Sequence, residues 1–173
     1  MFEQQKVYLS QEKIRARVEE LGEKITKDYR GKELTCIGTL KGSFVFFADL
    51  VRHIDLPMKI DFLGASSYGS QLTTSGVVKI TLDLSMPVAD RHVLIVEDII
   101  DTGITMNYLL QNIRLRNPAS LKLCSLLLKP TRVQTKVDID YLGFEIEDHF
   151  VVGYGLDAAE KYRNLPYIAQ LDQ

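Results

Sequence analysis

Residues 93–105, VLIVEDIIDTGIT, join three carboxylates to a set of residues suited to phosphate. In the second half, Asp101-Thr102-Gly103-Ile104-Thr105 lies between an apolar strand-like run and a helix-like one. The amides of residues 102–105 can therefore face a common point. Gly103 allows close backbone approach, and Thr102 and Thr105 add hydroxyl donors. With the positive end of a helix dipole behind them, these groups form an anion site. The stretch lacks the lysine and the length of a Walker-type loop, so a nucleoside triphosphate is a poor match.

The first half carries a different chemistry. Acids facing a phosphate would repel it. Glu97 and Asp98, adjacent at a strand end, can instead accept hydrogen bonds from a vicinal diol. They can also help hold a hard cation such as Mg²⁺, which favours oxygen ligands and substrate phosphates. A ligand with a phosphate at one end and free sugar hydroxyls in its middle satisfies both halves, and a ribose 5-phosphate unit is such a ligand. An isolated Asp-Thr-Gly reads more simply as a strand end and a helix cap. Strand, acidic pair, spacer, Asp-Thr-Gly-x-Thr and helix in succession are more specific.

These residues need a scaffold, and the chain supplies alternating elements. Ser10 can cap a helix with Ile14, Val18, Leu21 and Ile25 on one face, and Gly31 offers its stop. LTCIGTL (34–40) reads as a buried strand, followed by the turn Lys41-Gly42-Ser43 and a short helix through FVFFADLVRHI. MKIDFLGAS (58–66) is the next strand, SSYGSQLTTSG (66–76) a long polar loop, and VVKITLDL an extended segment. HVLIVE is a strand, TMNYLLQNIRLR a helix ended by Asn117-Pro118, and SLKLCSLLL another buried strand. YLGFEI and FVVGYGL are short strands beyond it. Apolar strands interleaved with helices predict a mainly parallel α/β sheet covered on both faces. Ligands of such sheets bind beyond the carboxyl ends of the strands, so 41–43, 97–105 and 129–132 are expected together.

The 173 residues fit one domain, with no internal repeat or linker-like stretch. A net charge of −2 leaves no electrostatic footprint for nucleic acid or an anionic membrane. No apolar run approaches the ~20 residues of a membrane span. The N-terminus lacks the features of a signal peptide, and a cytoplasmic location is expected. Cys36 and Cys124 sit in apolar runs and read as core thiols rather than as a disulfide or metal ligands.

VLIVEDIIDTGIT closely resembles the phosphoribosyl pyrophosphate (PRPP) motif of the type I phosphoribosyltransferase family. LKGSFVFFADL (40–50), SSYG (66–69), SLLLKPTR (125–132) and FEIEDHFVVGYGLDAAEKYRNLPYI (144–168) extend the resemblance over most of the chain; the last two mark the purine branch, and the wider chain resembles its hypoxanthine-guanine members. The resemblance implies a mainly parallel sheet flanked by helices with a small hood subdomain. The N-terminal segment and the segment from about 130 would contribute that hood. It implies Mg²⁺-dependent transfer of a 5-phosphoribosyl group from PRPP to N9 of a 6-oxopurine, in a homodimer or homotetramer with no nucleic-acid or membrane partner.

By the same resemblance Glu97 and Asp98 lie by the ribose hydroxyls and the metal, and residues 102–105 (Thr102, Gly103, Ile104 and Thr105) bind the 5-phosphate. Asp101 matches the acid near N7 of the purine, where a base or proton-relay role is usual. Lys41 and Gly42 match a pyrophosphate turn whose strained peptide directs amides at the leaving group, and Arg163 a further pyrophosphate contact. Lys129 matches the lysine that reads the 6-oxo group, Phe150 the aromatic stacked on the base, and the Val151 backbone a contact to its edge. Asp157, also in the purine-side segment, matches a carboxylate that holds Mg²⁺ through water. Ser67 and Tyr68 match the working end of a closing loop. Ser43, Ile104 and His149 depart from residues common in relatives, a glycine, a lysine and another basic residue respectively.

Overall fold

Ser10, with extended backbone, accepts a hydrogen bond from the Lys13 amide (3.4 Å) and so caps α1, Gln11–Asp28. The computed structural model describes residues 5–68 and 77–171. Ile14, Val18, Leu21 and Ile25 form the buried stripe of α1. Gly22 lies on the same face, where an added Cβ would fall 2.5 Å from His53 Cβ, so α1 packs closely on the end of α2, Phe44–Arg52.

The large sheet has six strands: β2 (Leu34–Leu40), β3 (Met58–Tyr68), β4 (Val77–Leu82), β5 (His92–Ile100), β6 (Ser120–Leu128) and β7 (Tyr141–Glu145). Their order is β4-β3-β2-β5-β6-β7, parallel except for β4. Alternating side chains serve two cores. Cys36, Leu94, Val96 and Cys124 pack with α1 and α2. Ile37, Val93, Ile95 and Leu123 pack with Met106, Leu109, Leu110 and Ile113 of α3, Ile104–Arg114. Both cysteines are buried in the first core, as expected of core thiols.

A second, antiparallel sheet forms the hood, with β1 (Gln5–Leu9), β9 (Ile168–Leu171) and β8 (Val151–Val152) in the order β1-β9-β8. The local pattern did not predict β1 or β9. Each is short and exists through a partner at the other end of the chain. Of the segment from about 130, β7 pairs with β6 in the large sheet, and the strands given to the hood are β8 and β9.

Two strands outrun their apolar stretches. β5 continues through Glu97, Asp98, Ile99 and Ile100 because β6 pairs with it as far as Ile100↔Leu128. β3 continues past the expected end at Ser66 through Ser67 and Tyr68, expected as loop, because β4 turns back antiparallel with Ser67↔Val78 and Tyr68↔Val77. The rest of the expected closing loop, 69–76, lies outside the described residues. Among the described residues, no helix is long and apolar enough to cross a membrane.

Candidate active site

Register brings the candidate residues together. β2 and β5 are neighbours paired up to Gly38↔Val96, so the turn after β2 lies beside the acidic pair. The contact is close: a Cβ on Gly42 would overlap Asp98 Oδ2 and lie 2.7 Å from its Cγ. Gly42 is thus required by the carboxylate opposite it. The Leu40–Lys41 peptide is cis, and Ser43 Oγ, wholly buried, donates to Thr39 O and ties the turn to its strand. Burial, together with the neighbouring Asp98 carboxylate, pushes Glu97 well above the usual carboxylate range. The Asp98 amide donates to Glu97 Oε1 at 3.2 Å.

Between β5 and α3, Gly103 adopts φ +79° and stands at the N-cap of the helix. Its Cβ position is filled by Thr135 O, so no other residue fits there without rearrangement. Thr102 O accepts from the amides of Gln134 and Thr135, each at 3.0 Å, which holds the loop against the chain after β6. The Ile104 amide approaches Thr102 Oγ1 at 3.4 Å. Glu97, Asp101, Thr102, Gly103 and Thr105 line a cleft of about 180 Å³ at the start of α3, where first-turn amides lack intrahelical partners. The cleft thus has amide and hydroxyl groups of 102–105 beside the carboxyl groups of Glu97 and Asp101.

A larger cavity of about 640 Å³ adjoins it, and Asp101 belongs to both. Its wall includes Lys129, Arg132, Asp148, His149 and Phe150. Lys129 is nearly buried, and its Nζ donates to Asp148 Oδ1 at 3.3 Å. Arg132, on the 3-10 turn Pro130–Arg132, donates through Nε to Asp101 Oδ1 at 3.0 Å. Phe150 is 43% exposed, which leaves an aromatic face beside polar groups. Val151 is buried in β8 next to it.

A third group lies over the Lys41-Gly42 turn. Gly155 (φ +102°) packs where any Cβ would collide with Gly42 O, so the C-terminal loop sits directly on the turn. Arg163 donates to Gly155 O at 2.8 Å and pairs with Asp157 at 2.9 Å and Glu160 at 3.3 Å. Glu160 also takes Lys41 Nζ at 3.0 Å, and these hydrogen bonds, Lys41 first, lower its pKa. Lys41 and Arg163 therefore converge on one acid. Asp157 faces Arg163 and the Glu160 amide and does not line the larger cavity. Among the described residues, no three acidic, histidine or cysteine side chains gather as a ready-made metal cage, so Asp157 is not joined to Glu97 and Asp98 in one cluster.

Arg132, Asp148 and Glu160 carry much of this geometry, and reading the sequence gave none of them a role. All three lie in quoted segments, Arg132 in 125–132 and Asp148 and Glu160 in 144–168, and that placement was the signal available.

Comparison with known proteins agrees with this architecture. The phosphoribosyl transferase domain family matches residues 4–159. The hypoxanthine phosphoribosyltransferase of Haemophilus influenzae is 49% identical over 168 residues, covering 95% of this chain and 94% of that one. The hypoxanthine-guanine phosphoribosyltransferase of Bacillus subtilis is 48% identical over 167 residues, covering 96% and 93%. The crystal structure of a hypoxanthine-guanine phosphoribosyltransferase from Bacillus anthracis superimposes with a TM-score of 0.92 at 46% identity, covering 96% of this chain and 98% of that one.

Proposed function

The chain belongs to the phosphoribosyltransferase family, within its hypoxanthine-guanine branch of purine-salvage glycosyltransferases, and we propose how its residues divide the reaction. The 5-phosphoribosyl group of PRPP passes to N9 of hypoxanthine or guanine, giving IMP or GMP and pyrophosphate. The bond from C1 of the ribose to the pyrophosphate oxygen breaks, the bond from C1 to N9 forms, and the base loses one proton. The observation that carries the assignment is the meeting of three unlike subsites at the carboxyl ends of β2, β5 and β6.

The 5-phosphate sits on the amides and hydroxyls of Thr102, Gly103, Ile104 and Thr105, at the positive end of α3. Glu97 and Asp98 face the ribose hydroxyls, where negative charge also favours the oxocarbenium character that C1 gains as pyrophosphate leaves. The Lys41-Gly42 turn and Arg163 receive the pyrophosphate. In the larger cavity Phe150 stacks on the base, the Val151 backbone contacts its edge, and Lys129 donates to O6. An ammonium has donors only, so it favours a 6-oxo over a 6-amino purine. Asp101, between phosphate cleft and base cavity, takes the proton at N7. Ser67 and Tyr68, at the end of β3, are assigned by the family resemblance to shielding the reactants from water, and residues 69–76 beyond them lie outside the described residues.

Mg²⁺ binds characteristically through one or two carboxylates and substrate phosphates rather than an all-protein cage. The donor set of Glu97 and Asp98 on one side and Asp157 on the other fits that mode, and the bound ion would supply charge neutralisation for the leaving pyrophosphate. A homo-oligomer acting in the cytoplasm is the accompanying proposal, and it rests on the family membership.

The deciding experiment is pyrophosphate release from PRPP and Mg²⁺ with hypoxanthine, guanine, xanthine and adenine. Release with the first two and little with adenine is expected. No release with any purine would remove the reading. Asp101→Asn should lower turnover by roughly 10²–10⁴-fold while PRPP affinity stays within twofold; normal turnover in that variant would exclude Asp101 from the chemistry.

A further inference from the structure

Lysine is almost never buried without a partner, and Lys129 is only 8% exposed. Its ammonium donates to Asp148 Oδ1 at 3.3 Å. The same oxygen lies 3.8 Å from Arg132 Nε, which is bound at 3.0 Å to Asp101. One carboxylate therefore faces both cations of the base cavity. The chain around it is pinned on either side. The Glu147 amide reaches Tyr8 Oη at 3.4 Å, the His149 ring packs edge-on to Tyr8 with centroids 5.6 Å apart, and His149 Nε2 meets Glu147 Oε2 at 2.8 Å. Strand β1 thereby fixes the loop between β7 and β8 with Asp148 turned toward the cavity.

We propose that Asp148 is a positioning residue for base recognition, holding the Lys129 ammonium in place for the 6-oxo group and steadying Arg132 beside Asp101. It acts through Lys129 and Arg132 rather than by touching the base. A lysine has four rotatable bonds, and ordering its head costs rotamer entropy. With Asp148 in place, that ordering precedes binding, so the O6 hydrogen bond is made to a donor already placed.

The inference rests on the assignment of Lys129 to O6 made above, and its test separates the two. Hypoxanthine and unsubstituted purine, which lacks O6, are compared as ligands competing with guanine, using the full-length enzyme with PRPP and Mg²⁺. In Asp148→Asn the preference for hypoxanthine over purine should fall roughly tenfold, the scale of one charge-assisted hydrogen bond discounted for a half-exposed acid. The affinity for purine should stay within twofold. Asp148→Glu, which keeps the charge, should retain the preference within about threefold. In a Lys129→Gln background, adding Asp148→Asn should leave the remaining preference for hypoxanthine over purine unchanged. Equal weakening of both bases, or an unchanged preference in Asp148→Asn, overturns the positioning role. If Lys129→Gln itself leaves the preference intact, the O6 assignment falls, and this inference with it.

Discussion

Gly103 and Gly31 offer a controlled experiment on the loop at 102–105, to which the 5-phosphate is assigned in our proposal. Their backbones are nearly alike, φ +79° and +77°, yet their surroundings differ. An added Cβ at Gly31 meets nothing within 4 Å. At Gly103 it collides with Thr135 O and lies 3.3 Å from both Thr135 C and Val137 Cγ2. Alanine in the left-handed region costs ~1–2 kcal/mol, offset by ~0.4–1 kcal/mol from the stiffer unfolded chain. Gly31→Ala should therefore cost about 0–1.6 kcal/mol. Overpacking against backbone adds ~1–3 kcal/mol, which takes Gly103→Ala to roughly 1–4.6 kcal/mol. For a chain of this size that lowers Tm by about 2–18 °C. Because Thr102 O anchors the amides of Gln134 and Thr135, the displaced segment also carries the phosphate loop with it. Urea unfolding of the two variants, with PRPP affinity measured on each, checks both consequences. Equal stability losses in the two variants would refute the steric reasoning, and an intact PRPP affinity in Gly103→Ala would refute its link to the phosphate subsite.

Glu160→Gln removes the acid shared by Lys41 and Arg163, so pyrophosphate affinity, measured by calorimetry, should rise about two- to fivefold. An unchanged or weaker affinity would remove Glu160 as a competitor for those cations. Burial pushes Cys36 up to about 12 and Cys124 higher still, so neither thiol should react with a disulfide reagent at pH 8 until urea unfolds the chain, when two should titrate. These thiols and the phenols of Tyr29, Tyr141 and Tyr154 have folded pKa values raised chiefly by burial. Their contribution is complete below the unfolded pKa values and is lost above them, because only the unfolded chain then releases protons. The urea midpoint should thus fall between about pH 8.5 and 10.5; a midpoint that climbs there would contradict the burial.

Much of this protein is determined locally. The apolar runs at 34–40, 92–97 and 120–128 became parallel strands, since side chains alternating along them must enter two cores at once. The Ser10 cap and the stripe from Ile14 to Ile25 formed α1 by hydrogen bonding and burial within one segment. Residues 93–105 carry both donors and acids within one short stretch, and Glu97, Asp101, Thr102, Gly103 and Thr105 line one cleft. Tertiary structure decided what depends on partners distant in the chain. Strand β1 exists by pairing with β9, about 160 residues away, and β9 in turn lies between β1 and β8, which no local pattern encodes. Gly42 is needed because Asp98 lies across from it, and Gly103 because Thr135 does. Asp148, Arg132 and Glu160 received no role from the sequence. They matter because folding brings Asp148 to Lys129 and Arg132 in the larger cavity, and Glu160 to Lys41 and Arg163 over the turn after β2. Type and spacing report a residue's neighbours along the chain, whereas the interaction of charges depends on their separation in space.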